Sequence, residues 1–198
     1  MTHDIVTTAE GLAELVAQLR DAPDVAFDTE FVSEYSYRPQ LCLIQVAAGD
    51  RLSVIDPLAI DDVTPFWQVI AEGDHETIVH AGRQELLFCM HAVGTGPKRL
   101  FDVQLAAGFA GLEFPASDGN LVQKLLSKRP HKAEARTDWR RRPLTDRQID
   151  YALADVDHLA GMRNALKARL ESLGRLDWMQ YEVQTWQSEV DASRSRER

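Results

Sequence analysis

The sequence predicts an α/β fold, a mixed sheet of three antiparallel and two parallel strands flanked by helices. Three observations carry that expectation. Three strand-like runs come first, joined by short breaks; helical and strand patterns then alternate; only helical patterns follow. The opening runs are residues 25–31, 41–46 and 52–56, separated by a Ser/Tyr/Arg/Pro-rich break and by Gly49-Asp50. Both breaks carry turn chemistry, so the three runs suit an antiparallel meander. Thr7 to Glu10 has the form of a capping box ahead of a helix over 12–19. After Pro57 the spacing predicts a helix over 65–72, a strand over 77–80, a helix over 84–93 and a short strand over 100–103. Residues 104–126 read as helices broken near Gly108, Gly111 and Pro115, and 127–142 as a basic irregular segment. Thr145 and Gln148 form a second capping box, opening a long helix to about Leu173 with Gly174 as its stop.

The 198 residues suffice for one full core, and 44% hydrophobic against 27% charged residues is the balance of a folded chain. No apolar run approaches bilayer length, and 1–9 lacks a signal-peptide pattern. Cys42 and Cys89 sit far apart in apolar segments and read as reduced core residues of a cytoplasmic protein. A net charge of −9 argues against broad nucleic-acid coating but leaves room for an enzyme that grips only a strand end. The Ser/Arg/Glu-rich stretch 191–198 reads as a disordered tail after a domain over 1–190.

Three acidic groups stand out. Asp28 and Glu30 lie two apart in an apolar strand pattern and so project to one face. Two carboxylates beside a core call for a neutralising charge, which a divalent metal supplies; a solvent-facing strand edge is the bland alternative. Tyr151 and Asp155 are four apart on a helix and share a face, a spacing also common on ordinary amphipathic helices. Glu85 falls in the first turn of a helix, where an acid is favoured by the helix dipole alone.

Taken together, the sequence resembles the ribonuclease D group of the DEDD exonuclease superfamily, in its tyrosine-bearing form. The resemblance rests on Phe27-Asp28-Thr29-Glu30-Phe31, Leu41-Cys42-Leu43-Ile44-Gln45, Ile55-Asp56-Pro57-Leu58, His80-Ala81-Gly82-Arg83-Gln84 and Asp138-Trp139-Arg140-Arg141-Arg142-Pro143-Leu144, in that order, and covers roughly residues 5–180. It implies a ribonuclease H-like sheet and 3′-to-5′ exoribonuclease activity on tRNA precursors or other structured RNA. It further implies that Asp28, Glu30, Glu85 and Asp155 hold two Mg2+ or Mn2+ ions, with Tyr151 orienting the attacking water. Single-stranded RNA 3′ ends would be the partner, DNA 3′ ends a neighbouring possibility, with no membrane and no obligate protein partner. The backbone at Thr29 and the ring of Phe31 would touch the terminal nucleotide; because Thr29 alternates away from the acids, only its backbone is a candidate. His80 reads as a structural histidine or a substrate contact.

Two departures qualify this. The family has aspartate where Glu85 stands, and the extra methylene displaces the carboxylate by roughly 1.5 Å. Retained activity with a shift towards manganese is the expectation; a weakened, RNA-binding module is the rival. The C-terminal helical RNA-binding domains of many ribonuclease D proteins have no counterpart in these residues. Between 124 and 142 stand Lys124, Lys128, Arg129, Lys132, Arg136, Arg140, Arg141 and Arg142, with His131 among them, against an acidic background. Such a segment ahead of Tyr151 and Asp155 suits a phosphate path, with Arg140 and Arg142 the leading candidates. Trp139 suits either a base or a buried anchor.

Overall fold

The computed structural model describes residues 3–33, 39–129 and 137–196, with side chains to 192. In chain order the elements are β1 (His3–Val6), α1 (Ala9–Arg20), β2 (Asp24–Val32), β3 (Gln40–Ala48), β4 (Arg51–Ile55), α2 (Thr64–Glu72), β5 (Glu76–Val79), α3 (Arg83–Val93) and β6 (Leu100–Asp102), then α4 (Val103–Phe109), α5 (Asp118–Leu126), α6 (Asp146–Asp157), α7 (Leu159–Ser172) and α8 (Leu176–Arg196). The sheet order is β1-β4-β3-β2-β5-β6. The central meander β2-β3-β4 is antiparallel, whereas β5 and β6 add to β2 in parallel. The five expected strands and their directions are therefore present, and β1 is a sixth, parallel to β4. Its four residues show no alternation, three exposed and only Val6 buried, so no period marked it.

Strand alternation divides the core into two. Val25, Phe27, Ile44, Val46, Ile55 and Val79 meet α1, α2 and α3 on one face. The ring of Phe27 packs edge-on against Phe66 at 5.6 Å. Ala26, Leu43, Val54, Ile78 and Phe101 meet the apolar stripes of α4 to α8 on the other. A sheet covered on both faces explains why its strands read as nearly unbroken apolar runs.

This parity fixes the site. Asp28 and Glu30 share the face of Ala26, toward α6, while Thr29 and Phe31 point toward α3. β5 pairs with β2 only over Asp24–Ala26. Beyond Ala26 the two parallel strands part, and the crevice at their carboxyl ends opens beside Asp28 and Glu30, as is usual where a parallel sheet diverges. A register shift between Glu30 and Phe31 bends β2 at that point.

The helix ends differ from expectation in three places. The cap of α1 is Thr8, whose side chain accepts from Gly11 N, so no Thr7/Glu10 box forms. The long helix after Thr145 is two, divided at His158, with no Gly or Pro marking the break. The stretch after Gly174 is helical to Arg196, replacing the disordered tail expected from 191; residues 197–198 lie outside the described residues. Met179, Val183 and Val190 are buried at helical spacing along α8, and Val190 seats on Leu86 and Met90. That anchor carries the helix into Ala, Arg and Ser positions by propagation. The Thr145/Gln148 capping box is present as expected. Among the described residues no helix is long and apolar enough to cross a membrane.

Candidate active site

Each acid reaches the crevice by a local device. Asp28 and Glu30 are carried on β2, and the Asp28 carboxylate accepts from Thr29 N at 2.9 Å. Tyr151 and Asp155 come from α6, which is started by the capping box and held by Gln148 donating to Thr137 Oγ1 at 3.0 Å. The phenol of Tyr151 and the carboxyl of Asp155, one turn on, are close enough to shift each other's ionisation, and the Tyr151 ring lies 6.2 Å from that of Trp139. Trp139 is buried, so it is the loop's anchor and not an open stacking platform.

Glu85 arrives from the other side. The turn from β5 into α3 is tight: Ala81 has φ +53°, and a Cβ on Gly82 would stand 2.4 Å from Val79 Cγ2. Only glycine fits there. The buried carboxylate of Asp102 clamps this turn, accepting from Gly82 N at 2.8 Å and Ala81 N at 3.3 Å, and also from Gln104 N and Leu105 N at the start of α4. Glu85 is itself buried, and Thr29 Oγ1 donates to its Oε1 at 2.5 Å. The Thr29 side chain thus holds Glu85, a contact separate from the one expected between its backbone and a terminal nucleotide. Pointing away from Asp28 and Glu30 is what lets it meet the acid behind them.

The electrostatics of this group are one-sided. Burial first, then the charges of Glu85, Asp155 and Glu30, hold the Asp28 carboxyl well above its ordinary range. Burial and the charges of Asp155 and Glu85 push Glu30 up to about 8. Burial and the charge of Asp118 push Asp155 to about 7, against the lowering effect of the nearby Tyr151 phenol. Burial also raises Glu85, partly offset by the Thr29 hydrogen bond. Burial and the neighbouring carboxylates raise the Tyr151 phenol. Among the described residues, no cationic side chain offsets the charge of Asp28, Glu30 or Asp155.

An all-oxygen donor set with surplus negative charge fits a hard divalent cation. Among the described residues no three His, Cys, Asp or Glu side chains already form a finished cage. The bond from Thr29 holds the Glu85 carboxylate on another partner.

The remaining candidates fall differently. Phe31 packs edge-on against Phe88 at 5.8 Å and is half-buried. His80 Nε2 stands 2.9 Å from the Ala116 carbonyl, a structural bond. Arg140 pairs with Asp138 at 2.8 Å. Arg142 is a correction: all five of its donor positions are committed. It makes a two-pronged pair with Asp56 at 2.5 and 2.7 Å, and donates to the carbonyls of Cys42, Trp139 and Arg141. It staples the loop to β3 and to the end of β4 and has no donor left for a phosphate. Lys124 faces Glu113 at 3.5 Å, and His131, Lys132 and Arg136 lie outside the described residues. Arg142→Ala is expected to lower stability by about 3 kcal/mol, because it strands the buried Asp56 charge; urea unfolding measures it, and a loss under about 1 kcal/mol would refute the staple.

Two acids escaped the sequence reading. Asp102 has the signal of an N-cap between a strand and an Ala/Leu helix. Asp118, in the first turn of α5, has none; its proximity to Asp155, His80 and His158 comes only from folding.

The profile of a 3′–5′ exonuclease family matches residues 3–171. Ribonuclease D of Zymomonas mobilis is 41% identical over 184 residues, 92% of this chain and 47% of that protein. Ribonuclease D of Escherichia coli is 37% identical over 176 residues, 89% of this chain and 47% of that protein. The crystal structure of the Escherichia coli enzyme, described as an exoribonuclease involved in structured RNA processing, superposes with a TM-score of 0.91 at 35% identity, covering 96% of this chain and 51% of that one. Brucella melitensis NrnC, solved with bound Mg2+, shares the fold at a TM-score of 0.80 and 23% identity, over 97% of this chain and 93% of that one. The chain spans about half the length of the curated relatives it matches. With the profile running from β1 into α7 across every acid described above, the chain belongs to the 3′–5′ exonuclease family.

Proposed function

We propose that this chain is a metal-dependent 3′–5′ exoribonuclease, releasing nucleoside 5′-monophosphates from RNA 3′ ends. The observation that carries the reading is that Asp28 and Glu30 from β2, Glu85 from α3, and Tyr151 and Asp155 from α6 come close enough for their acids to raise one another's pKa and that of the phenol. Asp28, Glu30, Glu85 and Asp155 would hold Mg2+ or Mn2+, two ions in the full arrangement. When bound, such ions lower the pKa of the attacking water and stabilise the leaving 3′-oxygen.

The chain's own residues do the rest. Tyr151 stays protonated, because burial and the acids around it disfavour a phenolate. It therefore orients the water by hydrogen bonding and does not act as a base. The water oxygen bonds to phosphorus as the bond to the 3′-oxygen of the preceding nucleotide breaks, and that oxygen takes up a proton. The Thr29 bond draws Glu85 back against β2, which offsets its extra length relative to aspartate. Structured RNA such as tRNA precursors is the natural substrate class by kinship with ribonuclease D, and the relatives' further length would add affinity for it.

The test uses a 5′-labelled single-stranded RNA with a free 3′-hydroxyl, incubated with Mg2+, Mn2+ or excess chelator, with Asp28→Asn alongside. A metal-dependent ladder of shortened products, absent in the variant, is expected. RNA that is bound but stays intact in both metals would leave a binding module as the better account.

A further inference from the structure

Beside the crevice, on the side of β6, lies a second cavity of about 310 Å³. Arg83, Gln104, Phe114, Glu182 and Trp186 line it, together with Glu189. It adjoins the turn that carries Glu85, and none of the site's acids lines it. Ala81 and Arg83 belong to the turn that presents Glu85. Gln104 donates its amide to the same Ala116 carbonyl that His80 contacts, each at 2.9 Å.

Of the two aromatic groups lining it, Phe114 is exposed and Trp186 is half-buried. Phe114 is 60% exposed, and its ring lies over Gly108, where a Cβ would stand 3.1 Å from Cδ2. Trp186 packs, half-buried, against the cluster of Leu86, Met90 and Val190. Trp178, 61% exposed, sits on the same stripe of α8 as Glu182 and Trp186, at four-residue intervals. Aromatic rings lining a cavity beside a reaction centre offer stacking surfaces for unpaired bases.

We propose that this cavity binds the bases of the nucleotides just upstream of the scissile one, stacking them on Phe114 and Trp186. This rests on the exonuclease reading, since it assumes a strand whose 3′ end lies among the acids. The charges on the rim decide which part of the strand enters. Glu182 and Glu189 repel phosphates but accept hydrogen bonds from base amino groups, whereas Arg83, in the first turn of α3, offers a cation for the backbone at the mouth. Bases therefore face inward and phosphates run along Arg83. The path lies opposite the Arg142 loop, where sequence alone places it.

Equilibrium binding tests this separately from catalysis. A 5′-labelled RNA of about twelve nucleotides is titrated by anisotropy in Ca2+, which takes the same oxygen ligands. A second RNA lacks bases at the second to fourth nucleotides from the 3′ end. Removing those bases is expected to weaken wild-type binding about tenfold, and Phe114→Ala to weaken binding of the intact strand by about the same factor. In Phe114→Ala the loss of bases should then cost little more, and Phe114→Tyr, which keeps a ring, should restore wild-type affinity. Trp186→Ala should behave like Phe114→Ala, with Trp186→Phe as its rescue. An undiminished penalty for missing bases in Phe114→Ala, or no penalty in the wild type, would overturn the stacking. Failure to shorten RNA in Mg2+ or Mn2+ overturns the exonuclease reading and leaves the binding result standing by itself.

Discussion

Asp155→Asn is expected to lower kcat on RNA by about 10³-fold or more, while raising the thermal stability of the metal-free protein. The two effects have one cause. Asp28, Glu30 and Asp155 are crowded, partly buried and mutually repelling, so the metal-free fold is strained wherever they are ionised. In the unfolded chain Glu30 and Asp155 titrate near 4.5 and 3.8; folded, near 8 and 7. Between those limits the folded state keeps protons that the unfolded state has released. Stability of the metal-free protein must then fall as pH rises from about 4 to about 8, the reverse of a salt-bridged carboxylate. Saturating Mg2+ or Mn2+ should abolish that decline, because the ions bind the ionised form and stabilise the fold. Asp155→Asn removes one titrating group and lowers the pressure on Glu30, so its metal-free melting temperature should exceed the wild type's, most at pH 8. Thermal melts across pH, with and without metal, read all of this. A wild-type melting temperature that climbs from pH 5 to 8 without metal would show that the carboxylates are not coupled as described.

Much of this arrangement was legible because strand and helix periods convert directly into shared faces. The two-residue spacing of Asp28 and Glu30 and the four-residue spacing of Tyr151 and Asp155 each survive into the structure unchanged. What no period encodes is how the faces meet. Thr29 was set aside because it alternates away from the acids, and that alternation is what brings it to Glu85. Arg142 was read as a free cation because sequence shows its charge but not the buried Asp56, 86 positions earlier, that absorbs it. The edge strand β1 has too few residues and too little burial to declare a period. The stripe of α8, Met179, Val183, Trp186 and Val190, was present but unread, its signal diluted by the exposed Trp178 and Tyr181.

Asp102→Ala is expected to cost about 4 kcal/mol of stability and about 100-fold in activity, although Asp102 itself is no part of the metal-binding set. Its carboxylate takes four backbone N–H groups, two from the turn into α3 and two from the first turn of α4. Truncation leaves buried donors unpaired at about 1–3 kcal/mol each, with partial relief by water at the more open positions. The catalytic loss follows from the backbone it holds. Ala81 keeps φ +53° only while its surroundings enforce it, and Glu85 lies in the first turn of α3 four residues later. A turn that relaxes moves the Glu85 carboxylate off Thr29 by a fraction of an ångström to an ångström, enough for the expected drop in rate. Asp102→Asn separates the two contributions. One amide oxygen can still serve Ala81, Gln104 and Leu105, but the amide nitrogen would confront the N–H of Gly82, the bond nearest Glu85. The Asn variant should therefore lose little of its melting temperature but much of its rate, with the deficit greater in Mg2+, which demands stricter geometry, than in other divalent ions. Equal, small losses of both stability and rate in the Ala variant would mean that the turn holds itself and that Glu85 does not depend on the clamp.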